Sequence, residues 1–305
     1  MAVGTNSKPD VSILERCIER LALRQIGVLG GRVNQHWLVE GAEGRLVLRA
    51  YSAAQLDNVG YEVEVLRRLH RAGWSVPQVV REPIHEGGRL WCLFTVLPGE
   101  SILTNSPSEQ RLRGQLLGRL HQSTASFVDM GQRNGFRTAD ELVSSPTLRQ
   151  AIGNYERLRP STAHVLRWHL DKATEMFEQA QPTKADLVVL HGDFAPWNLL
   201  FERGRLSGII DLETTHLNYR VSDFALAWRG NQDEVIHGYE DVHPLSEIDR
   251  QILVPSYWAW LFLGVEDEIN SMCAGSLPTH DFDWQIKHLL RRSRFHEGYV
   301  CDYPG

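Results

Sequence analysis

Apolar residues recur along this chain with two periods, and the change from one to the other divides it. "VSILERCIERLAL" spaces Leu14, Cys17, Ile18 and Leu21 along one side of a helix, which predicts a short amphipathic helix at the start. "QIGVLGGRVNQHWLVEG" and "GRLVLRAYS" then read as strands joined by the Gly-rich turn "GAEG", with Gly30-Gly31 interrupting the first. Helical spacing returns in "YEVEVLRRLHRAG" through Val65, Leu66 and Leu69 and stops at Gly73. A further strand, "RLWCLFTVLPG", ends at Pro98-Gly99. After Pro98 the helical period dominates. Ser106-Pro107-Ser108-Glu109 has the form of a capping box with proline at the first helical position, launching "RLRGQLLGRLHQSTA". A second helix is predicted over Thr162 to Ala180 and another from Ser246 through "RQILVPSYWAWLFLGVEDEIN", with Pro255 kinking or splitting it. A last helix is predicted in "WQIKHLLRRSRF".

Composition narrows the classes. With 305 residues, 42% of them hydrophobic and 23% charged, the chain can bury a sizeable core. A formal net charge of -6 supplies no basic footprint for nucleic acid. "VPSYWAWLFLGV" is too short to span a bilayer, and the polar "MAVGTNSKPD" is no secretory signal. Cys17, Cys92, Cys273 and Cys301 form no CxxC pair and read as reduced thiols. The expectation is a cytoplasmic protein with no membrane or nucleic-acid partner; oligomeric state is not legible.

The densest chemistry lies in "VVLHGDFAPWNLLFERGRLSGIIDLE", residues 188–213. Carboxylates gathered closely need a proton, a cation or a cationic partner. Asn198 follows Asp193 by five positions in a loop held by Pro196. Asp211 ends a run that can fold back beside "NLLF" as a hairpin across Glu202 to Gly204, bringing it toward Asn198 and Asp193. One carboxylate and one amide oxygen, Asp211 and Asn198, are hard donors suited to Mg²⁺. Asp193 is left to orient a hydroxyl and accept its proton, the division of labour phosphoryl transfer requires.

"HGDFAPWN" followed by "IIDLE" resembles the HGDxxxxN…IDxE signature of the aminoglycoside phosphotransferase and choline/homoserine kinase superfamily, over roughly Glu15 to Arg294. The resemblance implies an α+β, bilobal protein-kinase-like fold with a small β-rich N-lobe, residues 1–97, and a larger helical C-lobe, residues 98–305. It implies Asp193 as catalytic base, Asn198 and Asp211 as Mg²⁺ ligands, His191 and Gly192 as loop-shaping residues, and Glu213 as a second metal contact or a structural hydrogen bond. ATP and Mg²⁺ are the implied cofactors.

On this resemblance Gly30 and Gly31 fall where a phosphate-covering loop belongs, although GxGxxG is absent and a plain turn is the alternative. Asn34 either faces the phosphates or caps that turn. Arg49 stands where the kinase pattern has a lysine; the alternative is an exposed arginine on an edge strand. Glu62 is its expected ion-pair partner, or else a solvated helix charge. Backbone groups of about Thr95 to Leu97 would hold adenine. His121 is expected to pack, Asp223 to brace the catalytic loop or serve structure alone, and Trp197 to wall the acceptor pocket or fill a gap. Trp228, Tyr257, Trp258 and Trp260 are expected in the core before any cation–π role, and Glu266, Asp267 and Glu268 on a solvated face. The expected activity is ATP- and Mg²⁺-dependent phosphorylation of a hydroxyl on a small, amine-bearing acceptor. The alternative is a non-catalytic nucleotide-binding pseudokinase module.

Overall fold

The computed structural model describes residues 11–30, 34–52, 58–229 and 232–290. Contacts divide these into two compact units.

The first unit is built on an antiparallel sheet. Helix α1 (Val11–Arg20) leads into β1 (Arg24–Gly30), β2 (Gln35–Gly41) and β3 (Gly44–Tyr51), followed by α2 (Val59–Arg71), β4 (Ile84–Glu86), β5 (Arg89–Thr95) and the short β6 (Glu100–Ser101). The five longer strands run in the order β1-β2-β3-β5-β4, which makes β3 central. Strand alternation sorts its side chains. Leu46, Leu48 and Ala50 join Leu14, Cys17 and Leu21 of the α1 region, with Trp37, Trp91 and Leu93, in one apolar core. Arg49 and Tyr51 therefore point to the opposite side, where Glu62 of α2 meets them. Helix α2 ends as its sequence predicts: Gly73 takes φ +89° and Trp74 N–H donates to Leu69 O at 3.0 Å.

The second unit comprises Leu103–Pro196 and residues 214–290. It opens with α3 (Pro107–Thr124), then α4 (Ala139–Val143), α5 (Pro146–Tyr155), α6 (Pro160–Ala180) and β7 (Leu187–Leu190). The capping box at α3 is present: Ser106 Oγ accepts from Glu109 N–H, and the Glu109 carboxylate accepts from Ser106 N–H. Close packing of α3 on the later helix that carries Val235 and Gly238 depends on missing side chains. A Cβ at Gly114 would lie 1.9 Å from Val235 O, and one at Gly238 would lie 2.0 Å from Arg111 O.

After Pro196 the chain enters a hairpin, β8 (Leu199–Glu202) and β9 (Arg205–Ile209). Both residues of its turn, Arg203 and Gly204, have positive φ, as a two-residue type I′ turn requires. The sequence reading ends the first lobe at Leu97; the contacts carry that unit to Ile102 and add Trp197–Glu213 to it. The cause is specific pairing. β6 hydrogen-bonds to β8, Ile209 N–H donates to Ser75 O at 2.9 Å, and Leu97 fills the space where Gly208 lacks a Cβ.

Back in the second unit come β10 (His216–Tyr219), which pairs with β7, and α7 (Ala225–Arg229), α8 (Asp233–Glu240), α9 (Glu247–Leu261), α10 (Val265–Cys273) and α11 (His280–Leu289). Helix α9 runs through Pro255. Proline frees the carbonyl of Gln251, but Gln251 is exposed and water can take that carbonyl. The long predicted helix breaks instead at Gly264, whose φ of +79° no helix continues through. Among the described residues no helix is long and apolar enough to cross a membrane.

Candidate active site

In the first unit, Arg49 organises the site. It is 5% exposed on the central strand, between His36 and Cys92 in register, which excludes the exposed edge-strand alternative. Its Nη1 donates to Glu62 Oε1 at 2.7 Å. Its Nη2 donates to Glu213 Oε2 at 2.6 Å and Asp211 Oδ1 at 3.2 Å. Tyr51 OH donates to the other Glu62 oxygen at 3.2 Å, and its ring lies 5.0 Å from the guanidinium carbon. Burial opposes the charge on Arg49, but the carboxylates around it, Glu62 foremost, outweigh burial and hold its proton more tightly than usual. Glu62 is itself buried, so neither partner can lose the other cheaply.

Asn198 and Asp211 leave the same end of the β8–β9 hairpin. Leu199 pairs with Ile209, and Ile210 N–H donates to Asn198 O at 2.9 Å. Asp211 has φ +65°, a left-handed conformation uncommon outside glycine, which turns its side chain off the strand. Its carboxylate is 36% exposed, against 14% for Glu213 and 1% for Glu62, so Asp211 is the accessible acid of this cluster. An exposed carboxylate beside an amide-bearing residue matches the hard-oxygen chemistry of Mg²⁺, which keeps waters or phosphate oxygens in its remaining positions. Among the described residues there is no group of three or more His, Cys, Asp or Glu arranged to hold a metal.

Glu213 is more deeply engaged than its sequence suggested. Asn34 Nδ2 donates to the same Oε2 as Arg49, at 2.6 Å, while Asn34 Oδ1 accepts from Ser52 N–H at 3.4 Å. Burial raises the pKa of Glu213 and nearby Asp211 adds to the rise, against Arg49 and Asn34. Asn34 thus links the strand after the glycine turn to Glu213, a role neither sequence alternative included. Gly30 has φ +83° and its carbonyl contacts His36 Nδ1 at 3.0 Å; Gly31 lies outside the described residues. Burial, then Arg49, lower the His36 pKa to about 4, so its ring is neutral and can donate there. Thr95 N–H is already committed to Gln78 O at 3.0 Å, and Leu97 lies against Gly208. Trp197 is 46% exposed.

In the second unit, the loop carrying Asp193 is held by Asp223. One carboxylate oxygen accepts from His191 N–H at 2.9 Å and contacts His121 Nε2 at 3.0 Å; the other accepts from Gly192 N–H at 2.8 Å. His121 also contacts Tyr239 OH through Nδ1 at 3.0 Å. Burial alone would raise the Asp223 pKa, but these donors, His121 first, hold it below the ordinary carboxylate range. Asp193 N–H donates to His191 Nδ1 at 3.2 Å. Gly192 has φ +84°, and a Cβ there would sit 2.4 Å from Thr214 O. His191 and Gly192 therefore do shape the loop. Tyr257 and Trp258 are buried in the core, Glu266 accepts from Thr147 Oγ1 at 2.9 Å, and Glu268 accepts from Thr279 N–H at 2.6 Å.

A β-rich unit with a buried cation paired to a helix glutamate, followed by a helical unit with a clamped acidic loop, defines a kinase-like protein. The fold comparison agrees: a microcompartment-associated aminopropanol kinase superposes with a TM-score of 0.68 at 17% identity, over 92% of this chain and 94% of that one. Residues 24–243 match the model of the Phosphotransferase enzyme family, and the chain belongs to that family. It is an enzyme, a small-molecule kinase that phosphorylates hydroxyl groups. A homoserine kinase of Phenylobacterium zucineum is 26% identical over 295 residues, covering 88% of this chain and 87% of that protein. An aminoglycoside 3'-phosphotransferase of Streptomyces fradiae is 27% identical over 192 residues, covering 61% and 69%.

Proposed function

We propose that the enzyme transfers the γ-phosphoryl group of ATP, with Mg²⁺, to a hydroxyl of a small amine-bearing acceptor, an amino alcohol of homoserine size. The observation that carries this reading is the Arg49 cluster, one buried guanidinium held in a fixed fork by Glu62 and Glu213 with Asp211 exposed beside it. Such a frame fixes a guanidinium beside an exposed oxygen donor, so that a phosphate neutralised by a cation could be met by both from the same group of side chains. The size of the acceptor follows from the homoserine kinase relative, whose match covers more of both chains than the aminoglycoside enzyme's does.

Arg49 and the turn at Gly30-Gly31 take the triphosphate. The backbone at Val96 and Leu97 borders the adenine, since the Thr95 amide is engaged elsewhere. Asn198 and Asp211 would hold Mg²⁺, which when bound neutralises charge on the phosphate oxygens. Asp193 orients the acceptor hydroxyl and receives its proton as that oxygen attacks in line. Asp223 fixes the backbone of His191 and Gly192, so that Asp193 spends little entropy reaching its position. The reading assigns the enzyme to the cytoplasm, where ATP is replenished and the buried thiols of Cys17 and Cys92 stay reduced.

An ADP-release assay over homoserine, aminopropanol, choline and an aminoglycoside separates the acceptors. With the best of them, Asp193→Asn is expected to lower turnover about a thousandfold, roughly 4 kcal/mol of transition-state stabilisation. Near-wild-type turnover of the folded variant would remove Asp193 from this role.

A further inference from the structure

Asp223 is not the only hold on the loop that carries Asp193. Thr215 Oγ1 donates to Leu190 O, and Thr214 Oγ1 donates to His191 O at 3.5 Å. The Thr214 carbonyl oxygen fills the space that a side chain on Gly192 would need, 2.4 Å from the place of a Cβ. Thr214 lies in a turn before β10, outside the ladder with β7, so strand pairing does not set this carbonyl. Side chains set it instead. His216 Nδ1 lies 2.7 Å from Thr214 O, and Arg133 Nη1 donates to Thr215 O at 3.0 Å.

A histidine bonded to a carbonyl two residues back is an ordinary turn device, but this ring is fixed more firmly than a turn needs. Asn218, 6% exposed, accepts through Oδ1 from the N–H groups of Ala139 and Tyr219, each at 2.9 Å. Its amide nitrogen is thereby turned to His216 Nε2, at 3.2 Å. An amide NH₂ can only donate, so Nε2 accepts and the ring proton sits on Nδ1, where Thr214 O takes it. Turning the ring over would put carbon atoms at both contacts. Phe136 stacks on the imidazole at a centroid distance of 4.8 Å, and the Arg133 guanidinium carbon lies 4.9 Å from the Phe136 centroid. Burial foremost, with Arg133, lowers the His216 pKa against Thr214 O and Asp223, in keeping with a neutral ring.

We propose that His216, its tautomer set by Asn218, is a positioning residue for the reaction: it holds the Thr214 carbonyl against Gly192 and so fixes where the next residue, Asp193, stands. It acts through Thr214 and Gly192, not by contact with the reacting atoms. The Gly192 backbone is then held at two points, its N–H by Asp223 and its α-carbon by Thr214 O. One hold would leave the peptide free to swing; two fix its tilt as well, which a group that must meet a hydroxyl in line requires. This role rests on the catalytic part proposed for Asp193.

The test is ADP release with whichever of homoserine, aminopropanol, choline and an aminoglycoside turns over fastest, alongside urea unfolding. His216→Phe keeps a ring against Phe136 and loses the donor; His216→Asn loses the ring and keeps a side-chain N–H where Nδ1 stands. His216→Phe is expected to lower kcat ~10- to 100-fold, the scale for a reacting group displaced by up to about 1 Å, with both KM values changed less than about twofold. His216→Asn is expected to recover most of that loss even though it unfolds at lower urea. A ring that only fills space predicts the reverse order, with His216→Phe the more active, and that result overturns the proposal. So does wild-type kcat in His216→Phe, or a loss of the same size in both variants. Should neither variant fold, nitrogen-15 NMR of wild-type His216 decides: a proton on Nδ1 upholds the proposal, and one on Nε2 overturns it. Asp193→Asn measured in parallel separates the two roles. Wild-type turnover there defeats the role of Asp193, whereas a loss there with none in His216→Phe defeats that of His216 alone.

Discussion

Asp223→Asn exchanges one oxygen for an amide group and is the sharpest probe of the loop that carries Asp193. The native carboxylate takes two backbone N–H groups, of His191 and Gly192, and faces His121 Nε2. Whichever way the asparagine is turned, its NH₂ confronts at least one of those N–H donors. A buried donor left unmade costs about 1–3 kcal/mol, and the bonds that survive change from charge-assisted to neutral, each weaker by about 1 kcal/mol. The sum is a loss of about 3 kcal/mol, read as a lower urea midpoint with the slope unchanged. Turnover should fall roughly a hundredfold, the scale for a reacting group displaced by about 1 Å, while the acceptor KM changes little. The pH response has a definite sign. Since the folded carboxyl titrates below its ordinary 3.8, its contribution is fully present above that value and fades as pH falls through the folded one. Wild type should therefore lose stability on acidification below about pH 4 more steeply than Asp223→Asn. A variant with wild-type urea midpoint and wild-type turnover would refute the clamp.

Gly192→Ala places a Cβ 2.4 Å from Thr214 O at a φ of +84°, and is expected to destabilise by about 3 kcal/mol in urea and to lower turnover with it. Arg49→Met leaves Glu62 buried without its cation and should cost about 3–5 kcal/mol, whereas Arg49→Lys should retain most of that stability yet raise the nucleotide KM about tenfold; equal effects of the two on stability would mean the charge is unimportant.

What could be read from the residues was whatever depends on local period or on spacing within one turn. The capping box at Ser106, the end of α2 at Gly73 and the hairpin around Arg203-Gly204 each rest on short-range chemistry, and each stands in the structure. Partnerships spanning the chain were harder. Asn34 and Glu213 are 179 residues apart, and nothing in "VNQHW" announces that its asparagine meets a carboxylate beyond the hairpin. Strand β10 escaped because "HLNY" is short and polar at both alternate positions, although its pairing with β7 sets where Asp193 emerges. The split of the predicted long helix fell at Gly264 because a proline can be tolerated where its lost bond faces water, but a left-handed residue ends a helix outright.

Arginine at position 49 follows from the number and placement of the acids around it. One cation serves three carboxylates that approach from different sides: Glu62 at Nη1, Glu213 and Asp211 at Nη2. The two nitrogens of the guanidinium fork divide these duties without moving, and its carbon sits over the Tyr51 ring, 5.0 Å from the centroid. A lysine would bring all its donors to a single atom, and could hold Glu62 only by drawing away from the pair on the far side. The tightest contacts, with Glu62 and Glu213, are the buried ones; the longest, at 3.2 Å, is with the exposed Asp211. On the function proposed above, this gradient would let Asp211 loosen its contact with Arg49 to meet a metal while the buried frame stays fixed.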